Sequence, residues 1–433
     1  MNRRPFSHPI LFSLLAVSAC GSNTTSPEAE DAGAVDVAPT SLALDASESE
    51  AGVMQAAPSG IVVVNSDYQS ASVSFLDRDG NLLKDSCFNS GSGAQALSMA
   101  LSGDVALPTQ PQLGGPVVII DRLNNALTWL DPVSCTPLRQ LAVGTGFGSN
   151  PHDFVWLSPS KAYVTRFGNN AAATPAPDDF DDGSDLLIID PVQPKILGRI
   201  DLAPFAPAGA KILPMADRAL LAGGMVYVSL NAISGDWSNF GEGRILIVDP
   251  TTDQVVGTLD APGVKNCGAM TYLAAEQKLL VACDGDTNAG PAQAAGSAIV
   301  AFDLSTTPAT LVAQIGAAAA GGLPYSNWTV AALDGNTVLG VTEGNLSNSL
   351  PDRLWSLSLA GGPSVKLLDS AEAFTIGAIL VDAEKGRFIV ADGPMKSSSL
   401  LRVFDFASGA ITATTTIKSN PSHKLPPRAL AWY

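Results

Sequence analysis

Two short runs decide how this chain is read: Val226-Tyr227-Val228-Ser229-Leu230 and, after a polar stretch, Ile245-Leu246-Ile247-Val248-Asp249. Both are short and rich in β-branched residues, so they read as strands, half buried or sandwiched between sheets. The closing Asp starts a turn, Asp249-Pro250-Thr251-Thr252-Asp253, in which its carboxylate can accept backbone N–H groups. A second copy is Ala162-Tyr163-Val164-Thr165-Arg166 followed by Leu187-Ile188-Ile189-Asp190. Marking the end of each such second run gives Asp77, Asp131, Asp190, Asp249, Asp303, Ser358 and Asp405, at spacings of 54, 59, 59, 54, 55 and 47 residues. Units of one size class therefore run through the whole of residues 59–433, which excludes a two-domain α/β arrangement. Long amphipathic helix patterns are missing. The 40 Gly and 30 Pro, with only 6% aromatics, suit many short strands and turns.

The stretch Asn150-Pro151-His152-Asp153, with Leu157-Ser158-Pro159 and Ala162-Tyr163-Val164-Thr165, resembles the Tyr-Val-Thr-Asn repeat of surface-layer and lactonase-like β-propellers. Asp249 to Leu259 resembles the second half of that repeat. Arg166 stands where the repeat has Asn, and the later units lack the Tyr-Val-Thr core. The resemblance implies an all-β, seven-bladed propeller with four-stranded blades over residues 59–433. In such propellers the innermost strand of a blade precedes the Tyr-Val-Thr strand. Here the first unit opens on Ile61 to Asn65, a second-strand pattern, while the chain ends in Arg428-Ala429-Leu430-Ala431-Trp432-Tyr433. Residues 428–432 are thus predicted to complete blade one and close the ring.

The N-terminus has Arg3 and Arg4, an apolar stretch from Ile10 to Val17, then Ser18, Ala19 and Cys20. Residues 1–19 read as a signal peptide; the apolar run is too short to span a bilayer, which takes about 20 residues. Val17-Ser18-Ala19-Cys20 resembles a bacterial lipobox, which implies lipidation of Cys20 and a membrane anchor. Gly21 follows, where Asp would favour inner-membrane retention, so the resemblance implies the outer membrane, on either face. Residues 21–58 carry seven acids and neither Lys nor Arg. Such a segment buries too little apolar surface to offset its chain entropy, so residues 20–58 are predicted to be a disordered tether. Loss of residues 1–19 moves the formal charge from −17 to −19. A surface so acidic repels nucleic acid, and the chain is expected to be a monomer without a nucleic-acid partner.

Long segments at 167–184, 231–243, 284–297, 343–353 and 418–427 should open on one face of the propeller, where binding residues concentrate. Around its central mouth the predicted binding set is Asn150, His152, Asp153, Arg166, Trp237, Asn266, Asn327 and Trp328, a polar pocket with aromatic walls. The alternative role for these side chains is to satisfy strand-end backbone groups. Asp178 to Asp185 forms an acidic loop in which Asp179, Asp181, Asp182 and Asp185 are candidate calcium ligands. Its spacing departs from Asp-x-Asp-x-Asp-Gly, so a solvated loop is the preferred reading. Two histidines beyond the signal peptide, His152 and His423, and cysteines without Cys-x-x-Cys spacing argue against zinc or haem. No Gly-x-Ser-x-Gly elbow is present.

Four cysteines remain after Cys20, an even number with three pairings. Cys267 and Cys283 flank a hairpin turning near Ala275 and are predicted to pair. Cys87, in the outer strand of blade one, is predicted to pair with Cys135, in a turn of blade two. The function preferred on the sequence is binding or scaffolding of a peptide, glycan or protein partner. The alternative, implied by the resemblance, is a lactonase-like hydrolase using His152, Asp153 and Arg166; fold alone licenses no reaction.

Overall fold

The computed structural model of the chain describes residues 58–92, 99–112, 114–173, 180–394, 399–417 and 425–433. The predicted signal peptide, Cys20 and the tether up to Ala57 lie outside the described residues, as do Asp178, Asp179 and His423. The strands form seven four-stranded antiparallel sheets, the blades of a propeller, and one small two-stranded sheet of Ile212–Leu213 with Ile233–Ser234. The innermost strands of blades two to seven are Val105–Ala106, Pro151–Ser158, Ala216–Ala222, Cys267–Leu273, Tyr325–Ala332 and Ile376–Asp382. Blade one takes its innermost strand, Pro427–Trp432, from the other end of the chain: Ile61 pairs with Trp432 and Val64 with Ala429. The predicted closure is what the ring uses.

The apolar core is divided into seven wedges, one between each pair of neighbouring blades. Period-two alternation creates this division. In blade one, Ile61 and Val63 pack towards blade seven, and Val62 and Val64 towards blade two. In blade three, Val155 and Tyr163 face blade four while Ala162 and Val164 face blade two. A strand buried on both faces reads as a continuous apolar run, the pattern that marks the units in the sequence.

The marker residues end the third strands as expected. Asp131 accepts from Val133 N at 2.8 Å, Asp249 from Thr251 N at 2.8 Å and Asp303 from Ser305 N at 2.8 Å. These N–H bonds hold the carboxyls of Asp131 and Asp249 below the usual range; for Asp303 the Ser305 hydroxyl leads and its N–H adds. Just past each of these turns, the fourth strand carries a β-bulge in every blade. In blades one to five the unpaired residue is Leu83, Leu138, Leu197, Val256 or Val312, each between 48% and 58% exposed. A bulge on an edge strand twists it away from pairing with another chain, so backbone shape helps protect the rim.

Both predicted disulfides form. Cys87 joins the outer strand of blade one to Cys135 in the turn of blade two, and Cys267 joins its register partner Cys283 within blade five.

Candidate binding site at the channel mouth

Each full-length innermost strand begins at the face carrying the long loops, and each breaks its ladder there. The second residue of the strand leaves the pairing in all six: His152, Asp217, Gly268, Ser326, Gly377 and Arg428. In blade four the break also releases Arg218, and in blade six it extends through Asn327, Trp328 and Thr329. A bulge re-aims side chains that would otherwise pack between sheets. Here it gathers side chains from separate blades at the mouth of one channel. The two glycines are required by close approach: a Cβ on Gly268 would lie 2.5 Å from Asp217 Oδ2 and from Asn327 O, and one on Gly377 2.7 Å from Arg428 O.

His152 and Asp217 are paired, Nδ1 to Oδ1 at 2.7 Å, and the His152 ring stacks on Phe167 at 4.4 Å. Burial pushes the imidazole down, against the pull of Asp217; the Asp217 carboxyl is lowered because the imidazole and Arg218 outweigh its own burial. Burial thus shifts His152 towards its neutral form. Phe167 in turn stacks with Trp237 at 6.1 Å, so an aromatic staircase climbs from the mouth to a side chain that is 52% exposed. Arg218 donates Nη1 to His152 O at 3.3 Å, and its Nε lies 3.6 Å from Asp217 Oδ1. Arg428, from blade one, stands over the Tyr68 ring at 5.7 Å and donates to Phe374 O.

On the far side of the mouth, Asn327 donates to the Asn266 carbonyl and side-chain oxygen at 3.1 Å each, and Asn266 donates to Asp284 at 3.4 Å. Burial raises the Asp284 carboxyl to about 7, and burial with the nearby charges of Asp284 and Asp352 raises Glu343. Asp352 accepts from the backbone N–H groups of Gly344, Phe374, Thr375 and Ile376.

Below the mouth lies a cavity of about 480 Å³, bounded by the innermost strands. Arg218, Trp328 and Arg428 border it above, and Met270, Tyr272 and Leu430 line its wall. In blade two the innermost strand stops at Ala106, because Pro108 and Pro111 have no N–H to donate to a ladder. Residues 107–112 instead form a strap. Thr109 N bonds Asp153 at 2.9 Å in blade three, Gln110 accepts from Leu221 N at 3.2 Å in blade four, and Gln112 N bonds Trp432 O at 3.2 Å in blade one.

The structure brings together His152, Asn266, Asn327 and Trp328 at the mouth, with Trp237 at the head of the staircase. Three other predicted residues serve the scaffold. Asn150 has φ 45° and its N–H bonds Asn125; an Asn tolerates the left-handed turn that aims the strand inward. Asp153 is buried and accepts N–H groups from Thr109, Phe154 and Ala219, tying three blades together, while burial raises its carboxyl. Arg166 corrects the expectation most clearly. Its side chain is fully buried away from the mouth, donating Nε and Nη2 to Asp185 at 2.7 and 2.5 Å and further bonds to Thr145 and Phe180 O. A guanidinium one strand further out in the blade meets a buried carboxylate instead of the channel.

Asp185 is thereby taken from the predicted calcium set: Arg166 and Arg199 neutralise it, and Asp182 pairs with Arg199 at 3.1 Å. Asn170 binds the Asp181 carbonyl. Among the described residues no three His, Cys, Asp or Glu side chains converge as a metal site. Asp217, Arg218, Asp284, Glu343 and Arg428 were not predicted. Aligning the innermost strands by their first residue would have found Asp217 and Arg428, which occupy the position of His152.

Fold and site together define a seven-bladed β-propeller with a bulge-lined channel mouth. Similar in structure are putative 6-phosphogluconolactonases of Bacteroides uniformis (TM-score 0.55, 8% identity, 86% of this chain and 99% of that one) and of Bacteroides fragilis (0.50, 10%, 87% and 98%). A hypothetical selenium-binding protein of Sulfolobus tokodaii is also similar (0.52, 10%, 86% and 93%). At such identities the likeness shows the fold alone. No protein-family model and no curated protein matches the sequence.

Proposed function

We propose that this is an exported lipoprotein, held at the outer membrane by an acylated Cys20, whose propeller binds a peptide, glycan or protein partner over the channel mouth. The observation that carries the binding reading is the set of bulges in six innermost strands, which turns side chains of blades one, three, four and six towards the channel mouth. Exposed Trp237 and Trp328, at 52% and 47%, supply flat apolar surface beside amide and carboxylate groups, the combination that recognises sugars and peptides. The acidic tether gives the domain reach from its anchor.

Binding is tested by probing glycan and peptide arrays with the mature chain. Trp237→Ala with Trp328→Ala should abolish the signals, while Leu197→Ser on the outer rim should leave them intact; equal signals from both variants would sink the reading. The anchor is tested by fatty-acid probe labelling, which Cys20→Ala should abolish.

A second reading, a lactonase-like hydrolase, is favoured by one feature: the His152–Asp217 pair, in which a neutral imidazole oriented by a carboxylate is a competent general base. Acid release from a panel of sugar lactones, read by pH-stat as base consumed, should then vanish in His152→Gln; a panel left unhydrolysed by the wild type rejects it.

A further inference from the structure

We infer that the cavity below the mouth takes a neutral sugar, the terminal residue or disaccharide of a glycan. Trp328 is the surface on which its ring lies, and Gln110 and Thr271 bind its hydroxyls. The inference rests on the mouth being the binding site, and it chooses among the partners proposed for that site.

The cavity has the size of a small-molecule pocket, which spans about 300–1,000 Å³. Its lining mixes apolar side chains, such as Met270 and Leu430, with uncharged polar ones. The Gln110 amide, the Thr271 and Tyr272 hydroxyls and the Trp328 indole N–H all belong to that lining and donate to no partner among the described residues. A sugar ring carries a patch of C–H groups and a rim of hydroxyls that both donate and accept, so it matches this mixture. A purely apolar ligand would leave the four donors unpaired.

The charged groups at the upper border are already answered, so the cavity offers no free charge. Arg428 donates Nε to Ser66 O at 3.3 Å and a further N–H to Phe374 O, with Asp352, Glu372 and Asp67 acting on it. Arg218 lies against Asp217 and donates to His152 O. A phosphorylated or acidic sugar would gain nothing here over its neutral form.

The strand edges disfavour a peptide. An extended chain adds to a sheet through free N–H and C=O groups along an edge. In this channel Leu221 N donates to Gln110, Ile379 N to Thr329 and Gln112 N to Trp432 O, each at 3.2 Å. Trp328, by contrast, is set for a ring. The ladder of blade six skips from Tyr325 with Thr342 to Val330 with Gly340, which frees Trp328 from the sheet. Asn327 before it is tied to Asn266, and Trp328 N donates to Ser326 at 3.3 Å. An exposed aromatic whose backbone is already fixed offers its face at little further ordering cost.

The test is isothermal titration calorimetry of the mature chain. The neutral probes are glucose, galactose, mannose, N-acetylglucosamine, maltose, cellobiose, lactose and chitobiose; the charged ones are glucose 6-phosphate and glucuronic acid. At least one neutral sugar should bind, with an affinity unmoved by salt, and neither charged probe should bind more tightly. Thr271→Val keeps the shape and removes the hydroxyl, and should weaken the best sugar by about threefold to tenfold, the loss of one neutral hydrogen bond. Trp328→Ala should weaken it by about tenfold or more, and Trp328→Phe should recover part of that loss. Should the variants not fold, the wild type still decides through the neutral preference and its indifference to salt. No heat from any neutral sugar, tighter binding of a charged probe, or an affinity indifferent to both Thr271 and Trp328 overturns the inference. Array signals that depend on the two tryptophans but come from peptides alone would overturn this inference and leave the partner reading standing. Array signals indifferent to those tryptophans, with sugar binding in the titration still dependent on Thr271, would overturn the partner reading alone.

Discussion

Deleting residues 427–433 should abolish folding of the propeller, because the segment is an interior strand of the ring and not a tail. Its strand pairs with residues 61–65. Tyr433 O accepts from Ser59 N and Gly60 N, Trp432 O accepts from Gln112 N, and Trp432 Nε1 donates to Val381 O at 3.1 Å, so three segments are joined through these seven residues. Trp432 and Tyr433 are buried in the wedges on the two sides of blade one. Truncating a buried aromatic costs about 3–5 kcal/mol, and each lost backbone bond about 1. The total, on the order of 10 kcal/mol, matches the whole stability of a typical domain, about 5–15 kcal/mol. The assay is chemical denaturation followed by circular dichroism and tryptophan fluorescence. The truncated chain should show no cooperative transition, and Trp432→Ala, which keeps the backbone strand, should fold with a loss of about 3–5 kcal/mol. A truncated protein that unfolds at the wild-type midpoint would refute the closure and the strand assignment together.

Three further outcomes are expected. Asp284, raised to about 7 by burial, contributes stability that is complete below its unfolded value near 4 and is lost as pH rises through 7; Asp284→Asn should therefore flatten the stability decline between pH 5 and 8, and an unchanged slope in urea melts would contradict it. The Cys87–Cys135 bridge spans 48 residues and Cys267–Cys283 spans 16, so chain entropy assigns about 4 and about 3 kcal/mol to them; paired Ser variants compared by denaturation should rank in that order. Arg166→Met strands a buried Asp185 and should cost about 3 kcal/mol, the low end for a broken buried pair because Arg199 remains at 3.1 Å, while adding Asp185→Leu should recover most of the loss.

The fold was legible because a propeller blade imposes its demands locally. A strand pressed between two neighbouring sheets must be apolar on both faces, so Leu187 to Ile189 and Ile245 to Val248 announce themselves without reference to any partner. The turn after it needs a short acceptor, so an Asp recurs at nearly constant spacing. Closure was legible by counting, since a first unit that starts on a second strand requires a strand from elsewhere. The disulfides followed from the same strand assignment, which placed Cys267 opposite Cys283. The strap was not legible: Pro108 and Pro111 argue against a strand, but nothing local says that Gln110 and Gln112 will reach blades four and one.

The site was half legible, and the reason lies in the bulges. A side chain on an innermost strand normally points at the neighbouring blade, and polarity alone does not say whether it stays there or turns into the channel. Arg166 and Arg218 show the difference. Arg166 holds its register opposite Asp185 in the second strand and ends in a buried ion pair. Arg218 sits where the pairing of Ala216 with Leu230 and of Ala219 with Val228 leaves residues unmatched, and its side chain borders the cavity. Both are arginines in apolar, strand-forming sequence, and only the ladder separates them. The glycines carry the missing signal: Gly268 and Gly377 follow the first residue of their strands, as His152, Asp217 and Arg428 do, and they are small because the neighbouring bulges close in on them. A position that reads His, Asp, Gly, Ser, Gly and Arg from blade three round to blade one is a poor candidate for sheet interior and a good one for a place where backbones and side chains converge. The proposed binding site thus lies where the repeat departs from its own ladder, one residue into each full-length innermost strand.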